Sequence, residues 1–179
     1  MKTIFRLIVL LGFILSISCL CSFNQSQVGI TIGAHYGGGI VFYIDETGQH
    51  GLIAAATDQS RGQWGCTGTS IGGTGTVIGT GQANTKAIVN GCRTEGIAAR
   101  ICDDLILNGY NDWFLPSKDE LNQMYIHQTV IGGFANHIFA YWSSSEYDGS
   151  KAWFRSFYSG TRNITNKCDT VYVRAVRAF

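Results

Sequence analysis

The sequence predicts one α+β domain, because runs of β-forming residues lie towards both ends of the chain and helical periodicity lies between them. The first β-forming run is residues 40–44 and the last is residues 171–179. Between them, apolar residues recur every four positions over residues 94–107. The chain has 179 residues, 45% of them hydrophobic, which is enough for one such domain and a short extra segment.

The extra segment is predicted to be an export signal over residues 1–22. Lys2 and Arg6 give it a charged start. Residues 4–17 then form an apolar run that is shorter than the roughly 20 residues a membrane-spanning helix needs. We therefore expect a polar leader over residues 23–38 and the folded domain over residues 39–179.

The sequence Ser-Ile-Ser-Cys at residues 16–19 resembles a bacterial lipobox. We expect Cys19 to be the lipidated residue, with ordinary cleavage nearby as the alternative. The expected location is the outer membrane or cell surface, as a lipoprotein, or alternatively the periplasm or the exterior. A formal net charge of +1 excludes a strongly basic arm, so no nucleic-acid partner is expected.

Export places the later cysteines where disulfides persist. Cys102 lies on the apolar stripe of a predicted helix, which favours a buried free thiol. The bridge that we favour joins Cys66 to Cys92, while Cys168 stands apart. No CxxC pair occurs and the four His are scattered, so no metal-ligand set and no cofactor are predicted. A structural calcium ion stays open.

The first predicted strand, residues 40–44, is followed by a turn at residues 45–48 and a hairpin partner at residues 52–56. Residues 64–81 are rich in Gly and Thr and predict a long surface loop. That loop contains neither GxxxxGK[ST] nor GxGxxG, so we assign it no phosphate chemistry.

Two or three helices are predicted next, the clearest over residues 94–107. Another begins after Pro116, where Ser117 and Glu120 have the spacing of a capping box. After these helices, β-forming runs in the sequence predict strands at residues 141–145, 151–158 and 171–179, separated by Gly-containing turns.

Four segments of the chain carry a resemblance to a known family, and it spans residues 38–179. GGIVFYID, GYNDWFLPSKDELNQMY, YWSSSEYD and the closing YVRAVRAF are similar to the C-terminal domain family of the Legionella collagen-like adhesin. WFLPSKDEL, WSSS and VRAVR also resemble formylglycine-generating-enzyme and related domains. The resemblance implies a C-type-lectin-like fold, with a small twisted antiparallel sheet, two or three flanking helices and long Gly-rich loops.

The adhesin's domain is a glycosaminoglycan-binding attachment module, so the resemblance implies a binding protein rather than an enzyme. The collagen stalk is missing here. Formylglycine-generating chemistry is disfavoured because it needs a close Cys pair and Cys168 stands alone. The serines at residues 143–145 lack a GxSxG elbow and an evident His partner, which leaves a serine hydrolase unsupported.

The charge pattern adds a prediction of its own. Residues 45–148 hold eleven acidic and five basic residues, whereas residues 149–179 hold six basic residues and one acidic residue. Guanidinium groups bind sulfate and carboxylate well. We therefore expect a polyanionic polysaccharide, or an acidic glycan on a host or neighbouring surface, to bind the end of the chain. The candidate ligand-binding residues are Arg155, Arg162, Lys167, Lys151, Trp153 and Arg174.

Two alternatives remain open. The late cations could instead pair with the acidic residues of the middle segment, leaving a neutral surface. Arg174 and Arg177 belong to the closing motif, which favours a structural role for at least one of them. The chain could also be a scaffold that binds another surface protein through its loops.

Overall fold

The computed structural model describes residues 29–72, 74–135 and 140–179. The predicted export signal, with Cys19, lies outside the described residues, as do residues 23–28 of the predicted leader. Within the described ranges, no helix is long and apolar enough to cross a lipid bilayer.

The described residues form an α+β fold, as the sequence predicts. Its strands are β1 (His35–Tyr36), β2 (Gly39–Ile44), β3 (Gly51–Ala54), β4 (Ser60–Gly62), β5 (Ala140–Glu146), β6 (Lys151–Ser156), β7 (Arg162–Asn166), β8 (Val171–Val173) and β9 (Val176–Ala178). Its helices are α1 (Gly81–Gly91), α2 (Ala98–Asp103), α3 (Lys118–Ile126) and α4 (Gln128–Ile131). The C-type-lectin-like topology implied by the resemblance stays a prediction.

The strands form two sheets, whereas the resemblance implies one small antiparallel sheet. The first has the order β1-β2-β3-β9 and is antiparallel, and the second has the order β4-β8-β5-β6-β7. In the second sheet, β8 runs parallel to β5 through the pair Tyr141 and Tyr172.

The difference arises because the predicted last strand, residues 171–179, is shared between the sheets. Val173 pairs with Ser60 in the second sheet, whereas Val176 pairs with Ala54 in the first. The chain crosses from one sheet to the other at the buried residues 174–175. One continuous β-forming run therefore contributes a strand to each sheet and connects the two.

The helix predicted over residues 94–107 is shorter in the structure, where α2 spans Ala98–Asp103. Gly96 has a φ of 66°, which a continuing helix does not allow, and Ile97 is extended. At the far end, Asn108 has a φ of 53° and turns the chain away. The apolar stripe is nevertheless used, because Ile97 and Cys102 are both buried.

The start of α3 is confirmed. Ser117 accepts a hydrogen bond from the Glu120 N–H, and the Glu120 carboxylate accepts one from the Ser117 N–H at 2.7 Å. Because these bonds are local, the Ser-x-x-Glu spacing alone identifies them. The helix packs against β5 and β6, so its cap fixes where it crosses the second sheet.

The segment just before α3 joins the two halves of the core. Phe114 and Val176 exchange both backbone N–H···O bonds, at 2.7 and 2.9 Å. Alternation along this segment sends Trp113 and Leu115 into one hydrophobic cluster and Phe114 into the other. The Trp-Phe-Leu motif therefore acts as an additional short strand beside β9.

The favoured disulfide is present, with Cys66 and Cys92 bonded across 26 positions. It ties the Gly/Thr-rich loop to the end of α1. Cys102 is a buried free thiol, as predicted, and burial raises its pKa. Cys168 is free and exposed.

The outer edge of the second sheet is β7, and its free backbone groups are partly covered. Bonds from Ser156 N–H to Thr161 O and from Lys167 N–H to Ser150 O flank the strand. Because backbone N–H groups point alternately to the two sides of a strand, those of residues 162, 164 and 166 point away from β6. Of these, the Ile164 N–H donates to its neighbour Asn163, and the Asn166 N–H donates to Asp169.

Glu120 is a buried carboxylate that holds a loop as well as the α3 cap. Its Oε1 accepts from the N–H groups of Gly79 and Gly81, at 2.7 and 3.4 Å, while its Oε2 accepts from Ser117. Burial raises the pKa of this carboxyl although three N–H groups donate to it. Gly81 is required here because a Cβ would lie 2.2 Å from Glu120 Oε2.

We expect Glu120→Gln to lower the free energy of unfolding by about 1–3 kcal/mol, measured by chemical denaturation. Both carboxylate oxygens accept from N–H groups, so the amide NH₂ of glutamine would face a donor in either orientation. The matched control is Asp119→Asn in the same helical turn, with an expected loss of about 0.5 kcal/mol. Equal losses for the two variants would contradict this account.

Candidate ligand-binding site

The six late basic residues separate into buried and surface groups, and Lys167 belongs to the buried group. Its side chain is 0% exposed and forms a salt bridge with Glu146. The ammonium group also donates to Thr69 O at 2.9 Å and lies 4.5 Å from the centre of the Trp64 ring. The expectation that Lys167 contacts ligand is corrected, because its charge is already neutralised inside the protein.

Glu146 organises the loop above Lys167. Its carboxylate accepts from Ser70 Oγ at 3.1 Å and from the N–H groups of Ile71 and Gly72 at 2.8 and 2.9 Å. Burial opposes its ionisation, but the Lys167 bond and these N–H groups outweigh burial and lower its pKa. The pair therefore stabilises the fold above the ordinary carboxyl pKa, and this contribution is lost as the pH falls through the lowered value.

Arg174 is the second correction, because its side chain is fully buried. Its Nε donates to Asp58 Oδ1 at 2.7 Å, and its terminal nitrogens donate to Ala55 O at 2.7 Å and Gly133 O at 2.5 Å. The guanidinium lies 4.1 Å from the centre of the Phe134 ring. Arg174 thus builds part of the protein interior and cannot meet a ligand at the surface.

Arg177 follows the same pattern and confirms that the closing motif is structural. Its guanidinium forms two bonds to Asp112, at 2.7 and 2.8 Å, and donates to Gly37 O at 3.0 Å. It also stacks 3.9 Å from the centre of the Tyr110 ring. The acidic middle of the chain therefore neutralises three of the late cations.

The remaining candidates lie where α3 crosses β6. Three side chains of α3, spaced four and then three positions apart, lie on one face of the helix. They contact every second side chain of β6 and of the segment that follows β6. The Lys118 ammonium lies 3.9 Å from the Trp153 ring centre, Asn122 Oδ1 accepts from Arg155 at 2.6 Å, and the rings of Tyr125 and Phe157 are 5.6 Å apart.

Arg155 and Arg162 face each other across β6 and β7, and we call them the arginine pair. The Ser156–Thr161 bond next to them makes theirs a non-hydrogen-bonded pair, in which side chains approach most closely. Like charges placed directly opposite each other are destabilising. The fold therefore carries an electrostatic cost at this point.

Arg155 is poorly compensated for a buried cation. It is only 7% exposed, and the partners of its guanidinium are neutral: Asn122 Oδ1 accepts a hydrogen bond at 2.6 Å, and Tyr125 hydrogen-bonds to it and lies with its ring centre 3.8 Å away. Its Nε has no hydrogen-bond partner within the described ranges. Burial lowers the pKa of Arg155, and repulsion by Arg162 lowers it further.

The charges around the arginine pair are exposed and weakly neutralised. Arg162 is 48% exposed in its side chain and lies 4.0 Å from Asp119, at the limit of an ion pair. Lys151 is exposed at the start of β6, and alternation places it on the same face as Trp153 and Arg155. We call Lys118, Lys151, Arg155 and Arg162 the basic face.

A cleft of about 540 Å³ is lined in part by Tyr125, the ring on which the Arg155 guanidinium stacks. Gly160, with a φ of 71°, allows the β6–β7 turn to pass the Tyr125 hydroxyl, since a Cβ there would lie 2.5 Å from it. We call this the aromatic cleft, and its main lining residues are Tyr125, Gln128, Thr129, Phe134, Phe157 and Tyr158.

The serines at residues 143–145 are buried and hydrogen-bonded. Ser143 donates to Trp153 O at 2.8 Å, Ser145 donates to Gly75 O at 2.7 Å, and the Ser144 hydroxyl accepts from Asn84 at 3.1 Å. These bonds join β5 to β6, to α1 and to the loop at Gly75, and they give the three hydroxyls a structural role.

Sequence reasoning placed Arg155, Arg162, Lys151 and Trp153 as site candidates, and the structure brings all four to one side of the second sheet. It missed Lys118, Asn122 and Tyr125. Their spacing of four and three positions marked one face of a helix, but nothing in the sequence showed which strand that face would cover.

Comparison with known proteins identifies a family and a solved structure with a similar fold. The family model "Lcl C-terminal domain" matches residues 57–177. A fimbrial protein from Bacteroides ovatus has a similar fold, with a TM-score of 0.50 and 14% sequence identity over 70% of this chain. The match covers 35% of the fimbrial chain. The comparison with curated proteins found no match.

We expect Lys167→Met to lower the free energy of unfolding by about 3 kcal/mol, because it leaves the Glu146 carboxylate buried without its cation. Chemical denaturation measures the change. Lys151→Met removes an exposed cation from the same sheet and is expected to cost under about 0.5 kcal/mol. A Lys167→Met variant as stable as Lys151→Met would show that the buried pair is not needed.

Proposed function

We propose a function from one established premise, which is that the chain belongs to the Lcl C-terminal domain family. The protein is a non-enzymatic, adhesion-like module that works outside the cytoplasm and binds acidic or sulfated glycans through its basic face. The fold of the fimbrial protein from Bacteroides ovatus supports use of this architecture in surface proteins.

The arginine pair is the observation that carries this proposal. Two arginines lie directly opposite each other on β6 and β7, and among the described residues the nearly buried Arg155 has no salt bridge to a carboxylate and an Nε without a hydrogen-bond partner. A sulfate or carboxylate group bound at the exposed Arg162 guanidinium, on the side facing Arg155, would relieve their repulsion. The other buried cations already have acidic partners, so they offer no comparable vacancy.

Neighbouring residues would extend this contact along a polymer. Lys151 and Lys118 add charge further along the face, and Trp153 adds an aromatic surface between them. Ligand binding through exposed charges should weaken as salt is added, because ions screen them. Binding of a protein partner through apolar side chains would show little salt dependence.

We expect Arg162→Ala to weaken binding of the purified full chain to heparin about tenfold at low salt, equivalent to ~1.4 kcal/mol. The variant loses charge-assisted bonds to sulfate. The matched control is Arg93→Ala, which removes an exposed arginine between α1 and α2 and should leave affinity within about twofold. Isothermal titration calorimetry measures both.

A second variant, Arg155→Met, removes the other charge while retaining an apolar chain against Tyr125. It should weaken heparin binding as Arg162→Ala does. The proposal is wrong if the unaltered chain ignores heparin and other sulfated polysaccharides at low salt, or if neither arginine variant differs from Arg93→Ala.

We further propose that Cys19 is the lipid-anchored residue that holds the domain on the outer membrane or cell surface. Cys19→Ser should abolish incorporation of a labelled fatty acid and release the protein from the membrane fraction of expressing cells. Cys21→Ser, two positions away, is the matched control and should remain labelled. Labelling of Cys19→Ser at the normal level would instead support ordinary cleavage.

A further inference from the structure

We propose that the aromatic cleft is a subsite for one saccharide ring of the acidic glycan whose charged group meets the arginine pair. This inference rests on the proposed function and adds to it a requirement for a sugar ring, beyond negative charge.

The lining of the cleft suits a sugar ring. A pyranose has an apolar C–H face and a rim of hydroxyl groups, so it needs aromatic surface and polar side chains together. Tyr158 supplies an aromatic ring that is 72% exposed, and Gln128 and Thr129 supply amide and hydroxyl groups. The volume of about 540 Å³ lies within the range of small-molecule sites.

The cleft is linked to the arginine pair through the side chain of Tyr125. Tyr125 lines the cleft and its ring also carries the Arg155 guanidinium, at 3.8 Å. Phe157 lines the cleft two residues after Arg155 and contacts Tyr125. A sugar ring seated in the cleft would therefore contact the same tyrosine on which the Arg155 guanidinium stacks.

The far wall of the cleft is held in place before any ligand arrives. Arg174 binds the carbonyl oxygens of Gly132 and Gly133, and Asp58 accepts from the Ala135 N–H at 3.0 Å. Gly133 packs so closely that a Cβ would lie 2.2 Å from Ala56 O. A preformed wall reduces the entropy lost when a ligand binds.

The test compares two sulfated polymers that differ in the presence of sugar rings. Dextran sulfate carries its charge on pyranose rings, whereas polyvinyl sulfate carries it on a hydrocarbon chain. Tyr158→Ala should weaken binding of the purified full chain to dextran sulfate about three- to tenfold and leave binding to polyvinyl sulfate unchanged. Arg162→Ala should weaken binding to both polymers.

Tyr36→Ala is the matched control, since Tyr36 is an exposed tyrosine on the first sheet. It should change neither affinity. If Tyr158→Ala weakens both polymers equally, or neither, the ring subsite is overturned while the proposed function stands. If neither polymer binds the unaltered chain, the proposed function and this inference both fail.

Discussion

The buried Arg174 side chain is the interaction on which the arrangement of this domain depends. It lies where the chain passes from β8 to β9, and its salt bridge with Asp58 spans 116 positions of sequence. The same guanidinium binds carbonyl groups of Ala55 and Gly133, which belong to different parts of the fold. Removing a partner would leave a buried charge without its partner, which is costly. This cost keeps the two sheets and the cleft wall together as one unit.

Charge neutralisation inside the domain explains what remains on its surface. Lys167, Arg174 and Arg177 are matched by Glu146, Asp58 and Asp112. Three of the six basic residues at the end of the chain are thus neutralised by acidic residues of the middle segment. The arginine pair differs from them because it is only weakly neutralised, by Asp119 at 4.0 Å from Arg162, and because the fold keeps two like charges opposite each other where a neutral pair would cost less.

Features formed by residues close together in the chain could be predicted from the sequence. Which basic side chains would be buried and neutralised could not. The Ser117–Glu120 cap involves residues three apart, so its spacing predicts it. Export together with the helical position of Cys102 favoured the Cys66–Cys92 bridge without fixing it, because three cysteines remained, and the structure contains that bridge. Burial of Lys167 and Arg174 depends on partners 21 and 116 positions away, which periodicity does not reveal. The contact of Asn122 with Arg155 likewise arises only when α3 settles on β6.

The partly covered edge of β7 affects how readily copies of the chain associate with one another. A bare strand edge would let the β7 strands of two copies of the chain pair with each other and extend the sheet. Asn163 and Asp169 accept from two of the three N–H groups that such pairing would use, and the Arg162 charge repels the same strand of a second copy. The β6–β7 hairpin thus resists edge-to-edge association, which leaves its basic side chains uncovered.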